Sequence, residues 1–413
     1  MPALPSQPLV AIACGGTGGH LFPGLAVAEE LVRRGCDVSL LISPKEIDQQ
    51  AVKSAVGLEI ATLPAMGLSR GRLLGFLRGF WNSYGAAKRT FHARPPQAVL
   101  AMGGFTSAPP VLAGKVCGAA TFLHESNIIP GKANRWLAYV VDQAFVGFPS
   151  AAGRLFHRNA ITTGTPVRPQ FQPADAGGCR TALGLDPQRP VLLVTGGSQG
   201  ASAVNALVLQ AAPVLARSAP DLQWLHLTGV NDFENVRRQY AAQNCKAVVR
   251  PFLTEMELAL GAATVGVSRS GASSLAELAA MRLPAILIPF PAAADNHQRY
   301  NARAFADAGA ARLLDQSQAT GEKLAALLLQ LLQDNAARAA MARELVRWHS
   351  PRAAEMIAEK MLLVLNARHS SRWKALSNPD PSSPSRQNAQ DHGEQAASAP
   401  RKAGSDPTLS VPA

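Results

Sequence analysis

No stretch of this 413-residue chain offers the ~20 consecutive apolar residues that a membrane-spanning helix needs, so no transmembrane segment is expected. The start, MPALPSQPLVAIACGG, lacks a basic leader, and its apolar run passes straight into glycines. It reads as a β-strand rather than an export signal. Cysteine is scarce and dispersed (Cys14, Cys36, Cys117, Cys179, Cys245), with no C-x-x-C pair. That argues against a disulfide framework and a zinc site, and suits small buried side chains in a reducing cytoplasm. Acidic residues are missing from one long window: none lies between Glu59 and Glu125.

What is present is apolar and basic. A hydrophobic content of 47% over 413 residues suffices for two domains with separate cores. The net charge of +12 favours anionic partners such as phosphorylated small molecules, nucleic acid or a membrane surface. Apolar runs predict strands at 9–14, 38–42, 98–102, 120–123 and 143–146, with a helix over 23–33. The same grammar restarts with strands at 191–195, 222–227, 247–250, 264–268 and 285–288, and a helix over 202–217. Between the halves, GTPVRPQFQPADAGG reads as a linker. The last core helix is expected over 336–366, bent near HSPRA. The polar, Pro/Ser-rich end beyond it is expected to be disordered.

Two glycine loops stand between a strand and a helix, ACGGTGGH (13–20) and TGGSQGAS (195–202). Such loops let backbone N–H groups and a helix dipole meet an anion, most often phosphate. Neither is a G-x-G-x-x-G fingerprint, and no acid ends the second strand, so a nicotinamide dehydrogenase is disfavoured.

These loops are part of an ordered set: GGTGGHLFPGLAVAEEL, GGFTSAP, HESNIIPGKANRWLA, GTPVR, GGSQGASAVN, SRSGASSLAEL and PFPAAADNHQRYNA. The set resembles the bacterial family of UDP-N-acetylglucosamine–N-acetylmuramyl-(pentapeptide) pyrophosphoryl-undecaprenol N-acetylglucosamine transferases, over residues 9 to 366. The resemblance implies an α/β GT-B fold: two Rossmann-like, doubly wound parallel-sheet domains facing across a cleft; the disordered C-terminal tail, read from composition, lies outside it. The expected divisions are 8–166 (acceptor and membrane side), 167–350 (UDP-GlcNAc side), 351–376 (a helix returning to the first domain) and 377–413 (the tail). It also implies inverting, metal-independent transfer of GlcNAc to the 4-hydroxyl of MurNAc in lipid I, giving lipid II for peptidoglycan, with no cofactor.

Sugar transfer must stabilise a leaving diphosphate, deprotonate an acceptor hydroxyl and orient the sugar. No Asp-x-Asp metal motif occurs, so protein donors are expected to carry the leaving group. The second loop offers amides and Ser198. SRSGASSLAEL offers a helix start around Ala272, Ser273, Ser274, Leu275 and Ala276, and Arg168 adds a cation. By resemblance, Arg168 and Ser198 contact the nucleotide, Glu277 the ribose, the Leu253 backbone the uracil edge, and Gln298 the GlcNAc hydroxyls. The plainer roles stay open: a linker charge, a helix cap, an exposed glutamate, a core leucine.

On the first domain, His20 follows the first loop at a helix start, where the dipole favours neutral imidazole. It suits either a general base or a donor that positions a phosphate. Thr17, Gly18 and Gly19 are expected beside it. Asn127 matches an asparagine that contacts donor and acceptor. Gly103, Gly104, Thr106 and Ser107 form a third loop suited to the lipid pyrophosphate. Phe105 and Ser126 depart from the Tyr and Gln common in the family.

The acid-free window holds Arg70, Arg72, Arg78, Lys88, Arg89, Arg94 and Lys115, interleaved with Leu73, Leu74, Phe76, Leu77, Phe80 and Trp81. This reads as a peripheral face for an anionic leaflet, the cytoplasmic face of the inner membrane, or as an ordinary core helix with solvated charges. UDP-GlcNAc, lipid I, the anionic membrane surface and other cell-wall or division proteins are the expected partners. Nucleic acid is not, since no RNA-binding motif occurs. The rivals are a UDP-GlcNAc 2-epimerase of the same fold and a non-catalytic nucleotide-sugar-binding subunit.

Overall fold

A computed structural model describes residues 7–16, 18–45, 49, 52, 57–64 and 73–377. Thr17, Arg70, Arg72 and the tail from 378 lie outside the described residues. The described residues up to Ala367 belong to one unit.

Two parallel sheets organise that unit. The first has β1 (Leu9–Ala13), β2 (Asp37–Ile42), β3 (Glu59–Thr62), β4 (Ala98–Ala101), β5 (Ala120–Glu125), β6 (Gln143–Val146) and β7 (Ala160–Thr162), in the order β3-β2-β1-β4-β5-β6-β7. The second has β8 (Val191–Thr195), β9 (Gln223–Leu227), β10 (Ala247–Arg250), β11 (Val265–Ser268), β12 (Ala285–Leu287) and β13 (Arg312–Leu313), ordered β10-β9-β8-β11-β12-β13. The central strands are buried along their whole length and almost wholly apolar because helices cover both faces: all of LVAIA and all of VLLVT are buried.

In each sheet the strand order reverses beside the first strand. Val10 pairs with Val38 on one side and Ala98 on the other; Leu192 pairs with Trp224 and Val265. Loops leaving the strands on either side of such a reversal spread apart and open a crevice. Both glycine loops, GGF after β4 and SRSG after β11 leave from these points.

The structure corrects the expected boundaries in three places. The helix after the first loop starts at Gly18, so His20 lies in its first turn. The stretch read as a linker becomes helical at Ala176, because Asp175 accepts from the Gly177 and Gly178 N–H groups. The single bent helix is two, Asn335–Trp348 and Ala353–Ser377, separated at HSPR. Ile357, Ala358, Met361 and Leu365 of the second helix share a cluster with Val10, Ile12 and Leu40 of the first domain.

The chain therefore passes between the halves twice, through 163–175 and through 349–352. The passages touch: Gly164, at φ 81°, packs against Ser350 with no room for a side chain. Beside them Phe305 stacks on Trp348 at 4.4 Å, and Phe148 of the first domain meets Trp348 at 5.8 Å.

Candidate active site

The loops converge on one cavity of about 1030 Å³, lined from both halves. From the first come Gly18, Gly19, His20, Gly104, Phe105 and Asn127. From the second come Ser198, Leu253, Ala272, Ser273, Ser274, Glu277 and Gln298, with Arg168 on the connector. The glycine loops face each other directly. A side chain on Gly18 would meet Ser198 Oγ at 3.0 Å, and the Ser273 hydroxyl donates to the Gly19 carbonyl at 2.7 Å.

The second loop needs its glycines. Gly200 (φ 75°) and Gly229 (φ 80°) pack backbone to backbone, and a Cβ on Gly229 would lie 2.5 Å from the Gln199 carbonyl. The helix Ala272–Met281 begins at Gly271 with no side-chain cap, so its first N–H groups remain for a ligand. Leu275 belongs to the core instead, and Ala276 does not line the cavity. The Arg168 guanidinium lies over Phe22 (5.1 Å) and Phe171 (5.3 Å), with Nε buried and lacking a protein partner.

Burial pushes the Glu277 carboxyl up to about 7; Arg168 pulls it down and Glu257 pushes it further up. The folded protein thus holds this proton more tightly than the unfolded chain. Its contribution to stability is full below the ordinary value of 4.5 and is lost as pH rises through about 7. Because Glu277 is half-buried, the cost at pH 8 is about 1–3 kcal/mol. Glu277→Gln should therefore melt a few degrees above the parent at pH 8 and with it near pH 4. An equal difference at both values would refute the assignment.

On the other wall, the His20 ring lies on the Gly103–Gly104 turn. A Cβ on Gly103 would fall 2.8 Å from His20 Nε2, and one on Gly104 3.3 Å from Cε1. These glycines seat the imidazole. Thr106 donates to the Gly15 carbonyl at 2.6 Å, and Ser107, wholly buried, donates to Ala13 at 3.1 Å. The expectation that Ser107 faces a pyrophosphate is corrected: its hydroxyl is spent joining two loops inside the protein. Phe105 lines the cavity and meets Phe76 edge-on at 5.6 Å.

Behind His20, His124 is buried with its pKa lowered to about 4 by desolvation; the Gly164 carbonyl opposes this and His20 adds to it. The ring is neutral. Its Nε2 donates to Gly164 at 2.9 Å, leaving Nδ1 to accept from Ser126 at 3.3 Å. Glu125 accepts from Asn127 N, Asn127 Nδ2, Gly131 N and Asn134 Nδ2, at 2.8 to 3.1 Å.

Sequence reasoning missed the groups that join the halves. Asn301 bonds residues of both. Arg135 pairs with Asp295, which is left-handed (φ 51°) in the turn before the helix His297–Asp307. Arg269 is buried under Phe290 and donates to the Ile288 and Pro289 carbonyls at 3.0 Å. Gln298 accepts from Phe290 N through Oε1 at 3.0 Å, which leaves its amide nitrogen to donate.

Beyond the cavity, the helix Leu73–Ala93 exposes Leu77, Arg78 and Trp81 (62% exposed), while Phe76 and Phe80 are half-buried. Nothing is described of the Leu73 and Leu74 side chains. Arg94 is bound to Asp37 and Glu59 at 2.7 and 2.5 Å, so it braces β2 and β3. Val116, Trp136 and Tyr139 (70% exposed) are further exposed apolar side chains that the sequence did not single out. Among the described residues no helix is long and apolar enough to cross a membrane.

The glycosyltransferase family 28 N-terminal domain matches residues 10–146, and the C-terminal domain of the same family matches 191–358. A UDP-N-acetylglucosamine–N-acetylmuramyl-(pentapeptide) pyrophosphoryl-undecaprenol N-acetylglucosamine transferase of Anaeromyxobacter sp. (strain K) is 38% identical over 371 residues, 86% of this chain and 93% of that one. Among solved structures, Acinetobacter baumannii MurG is similar with a TM-score of 0.65 at 27% identity, over 86% of this chain and 99% of that one. A UDP-N-acetylglucosamine 2-epimerase shares the fold, with a TM-score of 0.63 at 14% identity over 88% of this chain and 98% of that one.

Proposed function

The chain belongs to glycosyltransferase family 28, among the UDP-N-acetylglucosamine–N-acetylmuramyl-(pentapeptide) pyrophosphoryl-undecaprenol N-acetylglucosamine transferases, and from that premise we propose that it transfers GlcNAc from UDP-GlcNAc to the 4-hydroxyl of MurNAc in lipid I, giving lipid II. The observation that carries this reading is the two-sided cavity: a histidine seated on one wall, and an arginine, an uncapped helix start and a raised glutamate on the other.

The second half clasps the donor. Ser198, the amides around Ala272–Ser274 and the Arg168 guanidinium hold the diphosphate; Glu277 holds the ribose hydroxyls, the Leu253 backbone the uracil and the Gln298 amide the sugar. His20 takes the proton of the acceptor hydroxyl as its oxygen bonds to the anomeric carbon. The bond to the β-phosphate oxygen breaks on the opposite face, its electron pair leaves on UDP, and the anomeric configuration inverts. Developing charge on UDP meets fixed N–H dipoles and Arg168, which need no reorganisation during the step. Gly18, Gly19 and Asn127 complete the cleft where the halves meet.

The acceptor is anchored in a bilayer, and the acid-free surface around Leu77, Arg78 and Trp81 suits an anionic leaflet at about 1 kcal/mol per basic residue. The protein then works as a peripheral enzyme on the cytoplasmic face, where other cell-wall or division proteins could meet it.

Labelled UDP-GlcNAc incubated with a lipid I analogue tests the reading. Label should move to the lipid with release of UDP, at the same rate with and without EDTA. UDP-ManNAc formed from UDP-GlcNAc alone would mark an epimerase, and donor binding without turnover a binding subunit; either result overturns the proposal.

A further inference from the structure

Asn301 lies on the helix His297–Asp307, wholly buried, and is not among the residues lining the cavity. Its carboxamide is fully engaged. Oδ1 accepts from the Ile128 N–H at 3.1 Å, and Nδ2 donates to Asn127 Oδ1 at 3.0 Å and to the Ser270 carbonyl at 3.2 Å. One acceptor and two donors are the working inventory of this side chain. Two of its partners belong to the first domain and one to the second.

We propose that Asn301 is a positioning residue that sets the two halves of the site in register for transfer; the proposal rests on the reading above. Each side of its carboxamide continues toward a group that faces ligand. On the second half, the Ser270 hydroxyl donates to the Gln298 carbonyl at 2.8 Å, tying Asn301 to the turn that presents the sugar-holding amide. On the first half, Asn127 donates to Glu125 Oε1 at 3.1 Å. Glu125 Oε2 in turn accepts from Gly131 N and Asn134 Nδ2, both at 2.9 Å. Asn134 Nδ2 lies 3.5 Å from where a Cβ would stand on Gly103, the glycine on which His20 rests. A continuous line of hydrogen bonds and packing thus runs from the Gln298 turn to the seat of the base.

The chemistry requires such a device. The donor is held by one half and the hydroxyl is deprotonated from the other, so the reacting atoms must be aligned across the divide, where a 1 Å error costs on the order of 100-fold in rate. The Arg135–Asp295 pair also crosses the divide, but it is partly exposed and an exposed ion pair contributes little. A buried, fully satisfied amide fixes distance and angle together.

Asn301→Ala and Asn301→Asp test the proposal. The aspartate keeps the acceptor for Ile128 but sets an oxygen against two carbonyl oxygens. Both variants should lose turnover on the order of 100-fold, while calorimetric UDP affinity stays at the wild-type value and the KM for UDP-GlcNAc changes little. Amide hydrogen exchange should quicken not only at Ile128 but also at Gly131, whose N–H is bonded to Glu125. Wild-type turnover in either folded variant, or UDP affinity falling in step with rate, overturns the proposal. Asn301→Ser, which can still serve one partner, replaces the alanine variant if that does not fold. Exchange needs no activity, so it decides even if the wild-type protein fails to transfer GlcNAc. Faster exchange at Gly131 supports the coupling, and unchanged exchange at Gly131 overturns it.

Discussion

His20→Ala should lower kcat by about 10²–10⁴-fold, the range for losing a general base, with little change in UDP affinity. The split follows from where the contacts lie. The side chains proposed to clasp the nucleotide come from the second half and the connector; His20 comes from the first turn of the helix Gly18–Arg33 and rests on the Gly103–Gly104 turn. His124 behind it cannot replace it. That ring is buried, with its pKa held near 4, and both nitrogens are engaged by Gly164 and Ser126. Steady-state kinetics with a lipid I analogue, paired with UDP calorimetry, check the result. Full turnover in His20→Ala would mean that another group accepts the proton, and an equal loss of UDP affinity would move His20 to the donor.

Arg168→Ala should cost about 10²–10³-fold in kcat, the loss typical of removing a fixed stabiliser of developing charge. Arg168→Lys should recover little. The guanidinium plane is held over Phe22 at 5.1 Å and Phe171 at 5.3 Å, and a lysine offers neither the plane nor the fork of donors. Its buried Nε has no protein partner, and an anionic ligand oxygen would satisfy it. Removing the cation also takes away the charge that pulls the Glu277 carboxyl down, so that carboxyl titrates at higher pH in the variant. A lysine variant with near-normal kcat would reduce Arg168 to a general positive charge.

Much of this was legible in the sequence because parallel strands covered on both faces are continuous apolar runs. Ala98–Ala101, Gln143–Val146 and Val191–Thr195 fall where those runs lie. The strands that escaped, β3, β7 and β13, are all at sheet edges, short and mostly half-exposed. Pairing defines them, and pairing leaves little mark on composition. The same division holds at the site. His20, Ser198, Arg168, Glu277 and Gln298 sit in motifs whose local order announces a loop or helix start. Asn301 meets Asn127 from 174 residues away and Arg135 meets Asp295 from 160, so no local pattern marks them. Ser107 misled in the opposite way, since a hydroxyl in a glycine loop looks exposed until Ala13 and Gly103 are found to accept from it.

The close passage of Gly164 against Ser350 bears on how substrates come and go. Halves joined by one tether could swivel freely, whereas a pair of tethers in contact acts like the spine of a book. Two strands of backbone packed side by side resist sliding and twisting more than a single tether would. A double spine of this kind narrows the ways in which His20 and Glu277, which line one cavity from opposite halves, can be set against each other.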